Sequence, residues 1–372
     1  MGDGNRVLSQ LTRLGEKWID WLRTRPIGLS LIKFGCVLIG IVLSGWGLNV
    51  WISVGGERVG FGLGEGDLPT PLLVLVWTPA MCLIAAGGLL LLSDWCQSRR
   101  QRVIVVEVRG LRDWSGSPLE MAVPARIKGQ RVALLVDLRQ RIADGVIVES
   151  QVALDRIGGL PSQLMQLEVG AGRGDGKIVY GGLAPVPFTF LTGMLMDDEG
   201  QVLVFDWDRH RGHWRELDEP DDGGRFERRG VEEVVRGTRE VALVVSVSYK
   251  VALDTVLSAV CDLCVVELTL PDGVSDSHWS EEKQEELGKE FLRTVAALGN
   301  LGVERIHLFL AAPNSVVFRF GRLYDRRNLP EVVVYQFERC ENPPYPWGVR
   351  MPASGSTSGA IWRSVDRAPA VG

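Results

Sequence analysis

The feature that most constrains this chain is a pair of long stretches without a charged side chain. No Asp, Glu, Lys or Arg occurs from Phe34 to Val54 or from Leu68 to Ser93. About twenty apolar residues suffice for a helix to cross a hydrocarbon core, and uncharged runs of that length are rare in soluble domains. Arg6, Arg13, Lys17, Arg23, Arg25 and Lys33 precede the first run, and Arg99, Arg100 and Arg102 follow the second. The loop between them, Gly55 to Asp67, carries only Arg58 as a positive charge. The excess of cations outside the loop predicts a two-helix membrane hairpin with both termini cytoplasmic. A cleaved signal peptide would begin closer to the N-terminus.

This reading divides the first part of the chain into five stretches. Residues 1–26 are expected to form an amphipathic interfacial helix, since Val7, Leu11, Leu14, Trp18 and Leu22 recur at helical spacing with Arg13 and Lys17 among them. Packing of that helix on a partner protomer fits the same pattern. Transmembrane helices are expected over 27–54 and 68–93, with an outer loop at 55–67 and a linker at 94–102. Gly40, Gly45, Gly47, Gly87 and Gly88 allow close helix approach, so membrane lipid is an expected partner and clustering an expected mode of action. No ionisable residue lies at mid-membrane, which argues against an ion-coordinating transport site or a proton relay.

The remainder reads as a soluble α/β domain. The net charge of −5 offers no basic surface for long nucleic acid. Six scattered cysteines, two of them in the apolar runs, fit a reducing cytosol. Within this domain the sequence repeats. Ile178–Met196 aligns without a gap on Ile306–Tyr324, so that Ala184-Pro185 matches Ala312-Pro313 and Gly193 matches Gly321. Val204–Arg209 then matches Val334–Arg339, while upstream VIVVEV at Val103 parallels VALVVSV at Val241, and VALLVDL at Val132 parallels LCVVEL at Leu263. Near-continuous apolar strands alternating with helical stretches predict mainly parallel sheets covered on both faces. Two Rossmann-like lobes are expected, at 103–217 and 241–352, joined by a charged linker at 218–240 and followed by a mobile tail at 353–372.

In each lobe a strand runs into Ala-Pro and then a stretch closed by glycine, a pattern that predicts strand, tight turn and short helix, with the glycine as helix stop. An extended continuation is the alternative, since Phe188 and Phe190 alternate with Thr189. Open α/β sheets bind ligands at the carboxyl edge, where the N–H groups of a helix start favour phosphate. The candidate contacts there are Arg109, Pro185, Ser248, Tyr249, Lys250, Pro313, Asn314 and Ser315. Lys250 would meet phosphate, Tyr249 would stack on a base, and Asn314 or Ser315 would hydrogen-bond. Ordinary loop residues fit the same positions.

No third ligand accompanies His210 and His213, Cys261 and Cys264 lack a second pair, and Gly170–Gly176 lacks the ending of a phosphate loop. No metal site, cofactor or catalytic motif is therefore expected.

Ile178–Met196, Asp206-Trp207-Asp208-Arg209 with Trp214, and Leu308–Gly321 with Tyr335 resemble SAVED domains, the sensors of bacterial CBASS antiphage systems. The resemblance covers about 103–352 and implies two fused CARF-like lobes. It implies binding of a cyclic di- or trinucleotide made by a partner cyclic nucleotide synthase, then homo-oligomerisation that switches on a fused effector. Here the effector is the hairpin, so the chain resembles the transmembrane-SAVED type and is expected to disrupt the bacterial inner (plasma) membrane. Two other readings stand beside this one: a membrane-anchored enzyme degrading a cyclic nucleotide with help from His210 or Lys250, and a scaffold binding no small molecule.

Overall fold

A computed structural model describes residues 27–43, 50–54, 57–61, 70–100, 102–110, 116–138, 142–143, 146–147, 150–169, 177–197, 199–260, 262–271, 277–339, 341–353 and 355–364. The expected interfacial helix, the Gly170–Gly176 turn and the last residues of the tail lie outside this set. The chain divides into two compact units, Met1–Arg100 and Gln101–Gly372.

In the first unit, helix α1 (Ile27–Leu43) is followed by the hairpin of β1 (Val50–Val54) and β2 (Glu57–Phe61), then by α2 (Thr70–Arg100). The two helices touch where glycines remove a side chain. A Cβ on Gly28 would lie 2.7 Å from the Gly87 carbonyl oxygen, and one on Gly87 would lie 2.5 Å from that of Gly28. Such approach of backbones is how helices pack where the solvent is itself apolar. Among the described residues one helical stretch, Leu75–Ser93, is long and apolar enough to cross a membrane.

Two expectations are corrected here. The first helix does not extend to 54, because residues 50–54 form β1. Gly45 and Gly47 are poor helix formers, Val50, Ile52 and Val54 favour a strand, and the β1–β2 pairing brackets Gly55-Gly56, a favoured hairpin dipeptide. The second helix does not stop at 93 but continues through the expected linker to Arg100.

The second unit contains two sheets and the helices between them. The first sheet has the order β4 (Gln130–Asp137), β3 (Arg102–Arg109), β7 (Lys177–Leu183), β8 (Val202–Asp208) and β9 (His213–Glu216). A small hairpin of β5 (Ile142–Ala143) and β6 (Val146–Ile147) stands apart. The second sheet has the order β10 (Glu227–Arg229), β12 (Cys264–Thr269), β11 (Glu240–Ser246), β13 (Arg305–Ala311), β14 (Glu331–Gln336), β15 (Trp347–Arg350) and β16 (Ala360–Arg363). Strands β4-β3-β7-β8 are parallel, and so are β12-β11-β13-β14; the added edge strands are antiparallel. The sequence repeat therefore maps strand for strand onto the topology.

The inner faces of both sheets share one core with α4 (Ser150–Gly158), α5 (Leu160–Val169), α6 (Val186–Leu195), α8 (Glu281–Asn300) and α9 (Asn314–Leu323). The outer face of the first sheet packs a cluster around Leu119 of α3 (Leu119–Ala122), and that of the second packs α7 (Leu253–Ala259). Helices α6 and α9, the repeated pair, cross between the lobes. The Tyr180 ring of β7 stacks on Phe318 of α9 at 3.5 Å between centroids, and Phe190 of α6 meets Tyr324 edge-on at 5.7 Å.

Gly193 and Gly321 sit at this crossing and not at helix stops. A Cβ on Gly193 would collide with the Phe318 carbonyl, and one on Gly321 with that of Phe190. Each helix continues two residues beyond its glycine, to Leu195 and Leu323.

The expected linker is a strap fastened to α8. Glu219 N–H donates to the Trp279 carbonyl (3.0 Å), Lys283 Nζ pairs with Asp222 Oδ2 (2.7 Å), and Phe226 N–H donates to Glu290 Oε2 (2.9 Å). Residues 227–229 then join the second sheet as β10. The tail is likewise corrected: Ala360–Arg363 form the edge strand β16, over which the Arg305 guanidinium stacks on Trp362 at 5.3 Å.

Candidate functional site

The carboxyl edge of the second sheet is where the expected contacts gather. Side by side there end β12 (Thr269, then Leu270-Pro271), β11 (Ser246, then Val247–Lys250), β13 (Ala311, then Ala312–Asn314) and β14 (Gln336, then Phe337). Leu270 N–H donates to the Ser246 carbonyl (2.9 Å), and Val247 and Ser248 N–H both donate to that of Ala311 (2.9 and 3.1 Å). Val251 N–H returns to Ser246 Oγ at 3.1 Å and its side chain is buried, so the chain between them projects outward. Tyr249 is 65% exposed and Lys250 is exposed. Ser246–Lys250 and Thr269–Pro271 line a cavity of about 250 Å³. A cationic head, an aromatic face and a hydroxyl on one loop are the chemistry that phosphate and a base require.

Among the described residues, the matching edge of the first sheet is differently built. Arg109 Nε pairs with Glu107 Oε1 at 2.5 Å, and the other oxygen of this buried carboxylate accepts from Leu119 N–H at 2.9 Å. Arg109 is therefore engaged within its own lobe. Gly110 N–H donates to the Leu183 carbonyl (2.7 Å), the counterpart of the Val247 bond in the other sheet. At the end of β8, Asp208 accepts from His210 and Arg211 N–H at 2.9 and 2.8 Å. These two amides and the Arg211 charge hold its carboxyl below the usual range against the opposing effect of desolvation.

Pro185 and Pro313 each occupy the position just before a helix, one residue earlier than expected, with ψ of 143° and 153°. Their fixed φ aims the chain into α6 and α9. Two of the N–H groups that follow, expected to be left for a ligand, are taken by side chains. Val186 N–H donates to Gln336 Oε1 (3.1 Å), and Ser315 N–H donates to Asp206 Oδ2 (3.0 Å). Each cap comes from the opposite lobe. Asp206 is 4% exposed, accepts also from Trp207 N–H (2.8 Å), and lies 3.5 Å from His278 Nε2. With burial, its charge pushes the nearby Tyr180 phenol well above the ordinary value.

Ser315 is corrected as a surface contact. It is 1% exposed, and Gln284 Nε2 donates to its hydroxyl at 2.9 Å. Asn314 stays partly exposed and accepts from Thr189 Oγ1 of the other lobe at 3.1 Å. The geometry thus places Ser248, Tyr249, Lys250, Pro313 and Asn314 along one edge. Asp206, Gln336 and Phe337, which is 49% exposed, were not among the contacts expected from sequence. Their signal was only that polar Asp206 and Gln336 follow matching apolar runs at the same place in the repeat.

A model of the SAVED family (SMODS-associated and fused to various effectors sensor domain) matches residues 162–351, and one of the SAVED-fused 2TM effector domain matches 8–154. The first sheet takes β3 and β4 from the second match and β7 and β8 from the first, yet forms a single ladder. No curated protein matches. Among solved structures, the Acinetobacter baumannii Cap4 SAVED/CARF-domain containing receptor with the cyclic trinucleotide 2'3'3'-cAAA is similar at 11% identity and TM-score 0.45, covering 74% of this chain and 57% of that one. The same receptor with 3'3'3'-cAAA gives 12% and 0.45, covering 74% and 58%. The Moraxella osloensis Cap4 receptor gives 13% and 0.41, covering 63% and 47%. This chain thus spans about half to three fifths of the length of those receptors. On the profile matches and the two-lobed fold, the chain belongs to the SAVED family, as a membrane-anchored protein in which a SAVED sensor domain is fused to a 2TM effector domain.

Proposed function

We propose that this protein is an antiphage CBASS effector that binds a cyclic di- or trinucleotide along the carboxyl edge of its second sheet. Binding makes it oligomerise, and the gathered hairpins disrupt the bacterial inner membrane. The observation that carries the reading is the projecting Ser248-Tyr249-Lys250 loop beside its cavity, on a sensor domain fused to a membrane effector. Tyr249 stacks on a base, Lys250 meets phosphate, and Pro313 and Asn314 border the ligand.

The cavity of about 250 Å³ is below the ~300–1,000 Å³ of small-molecule sites, so a ligand of several nucleotides extends along the edge toward β13 and β14. The cytoplasmic termini follow from the cations flanking the spans, and the synthase supplying the ligand is a functional partner. The reading assigns the chain no catalytic residue.

Dye-loaded vesicles carrying the full chain test the effector half. A cyclic oligonucleotide that binds the protein is expected to release the dye, and binding without release would overturn membrane disruption.

A further inference from the structure

The two crossing helices begin on residues supplied by the opposite lobe, and these residues occupy one place in the repeat. The match of Val204–Arg209 to Val334–Arg339 sets Asp206 opposite Gln336. Asp206 lies two residues before the end of β8 in the first lobe and takes an N–H from α9 of the second; Gln336 ends β14 of the second lobe and takes an N–H from α6 of the first. Hydrogen bonds weaken steeply as distance and angle leave their narrow range, so both bonds constrain how the lobes meet, beside those of Thr189 to Asn314 and of Arg322 to the Met196 and Glu199 carbonyls.

Their chemistry is unequal. The Asp206 end is buried and enclosed by Trp207 N–H, Ser315 N–H and the His278 ring. Removing it would leave the buried Ser315 N–H without its acceptor, which folded proteins rarely tolerate. The Gln336 end is neutral and half-buried, is followed directly by the exposed Phe337, and lies at the edge along which a multi-nucleotide ligand extends. A neutral side chain near water gives up one hydrogen bond at little cost, because solvent replaces it.

Resting on the ligand reading above, we propose that Asp206 is the fixed hinge and Gln336 the releasable latch of the two lobes. A ligand spreading from Lys250 across Pro313 and Asn314 reaches the end of β14, displaces Gln336 from Val186 N–H, and frees the lobes to turn about the Asp206 side. Gln336 is thus the positioning residue through which occupancy becomes a change of shape.

Hydrogen–deuterium exchange on the full chain in lipid nanodiscs tests this, comparing the first turns of α6 and α9 with and without a panel of cyclic di-, tri- and tetranucleotides. Without ligand, Gln336→Ala is expected to exchange about fivefold faster than wild type in the α6 turn. Gln336→Glu, which keeps an acceptor oxygen, is expected to restore protection. In wild type, a bound cyclic nucleotide is expected to reproduce the Gln336→Ala pattern while the Ser315 turn stays protected. A bound ligand that leaves the α6 turn protected, or loosens both turns alike, would overturn the latch. If no panel member binds, the sensor reading fails and the release step falls with it; the Gln336→Ala and Gln336→Glu comparison then still decides whether Gln336 holds the start of α6.

Discussion

The two lobes carry the same four-stranded parallel ladder and the same crossing helix, yet their carboxyl edges differ. Among the described residues of the first lobe, Arg109 is held by Glu107, Asp208 by two amides, and Asp206 by the start of α9. In the second, the equivalent loop carries Tyr249 and Lys250 into solvent beside a cavity. The duplication therefore separates two tasks that a single lobe would have to combine. The first lobe presents fixed polar anchors to the interface, and the second presents a surface. What the lobes still share is the crossing, where Gly193 and Gly321 play equal parts.

The equality at the crossing predicts the largest effect. Gly193→Val and Gly321→Val each push a side chain into a carbonyl that cannot retreat, a cost of about 3 kcal/mol or more. At about 2–4 °C per kcal/mol, calorimetric melting should fall by roughly 10 °C for either. Gly200→Ala, where a Cβ meets open space, should leave it unchanged. A large effect at one glycine only would break the symmetry.

Next come the caps, where the lobes should differ. Asp206→Ala strands the buried Ser315 N–H and should cost about 2 kcal/mol, whereas Gln336→Ala should cost about 1 kcal/mol or less. Chemical denaturation of the two variants measures the gap, and equal losses would contradict it.

The open edge predicts a change in affinity without a change in melting. Tyr249→Ala should weaken ligand binding about ten- to a hundredfold through lost stacking. Arg109→Ala should do the reverse, lowering the melting temperature by leaving buried Glu107 without its cation while affinity holds. An affinity loss at Arg109 would show that the first lobe also contacts the ligand.

The smallest effect concerns the strap. The Arg225 guanidinium, with Gly223 N–H, holds the Asp221 carboxyl down to about 2, and Lys283 lowers that of Asp222. Both lie below the unfolded value of about 3.9, so their contribution is present above pH 4 and fades as pH falls toward 2. Asp222→Asn should lower melting slightly at neutral pH and converge on wild type as pH falls toward 2, which flattens the acid limb of the profile.

Much of this architecture was legible in the sequence because its signals are local or periodic. Val103–Val108 and Val241–Val247 announced central strands, and the Ala-Pro pairs announced helix starts. What stayed hidden depended on partners distant in sequence. Gly193 and Gly321 looked like helix ends because the crossing that requires them joins positions more than a hundred residues apart. Ser315 looked like a surface contact because nothing local shows that Gln284 and Asp206 enclose it. The strand at Ala360–Arg363 was lost in the polar composition of its neighbours. At the membrane, charge counting showed where a helix is permitted but not that Val50–Val54 would turn to strand.

Titration calorimetry of the full chain in detergent against the panel of cyclic di-, tri- and tetranucleotides, with light scattering on the same samples, tests the central claim most directly. Tight binding of one member is expected, with an increase in particle mass on saturation, and loss of both in Tyr249→Ala, Lys250→Ala double variants that melt like wild type. Binding of no member, or tight binding that this double variant leaves intact, would contradict it.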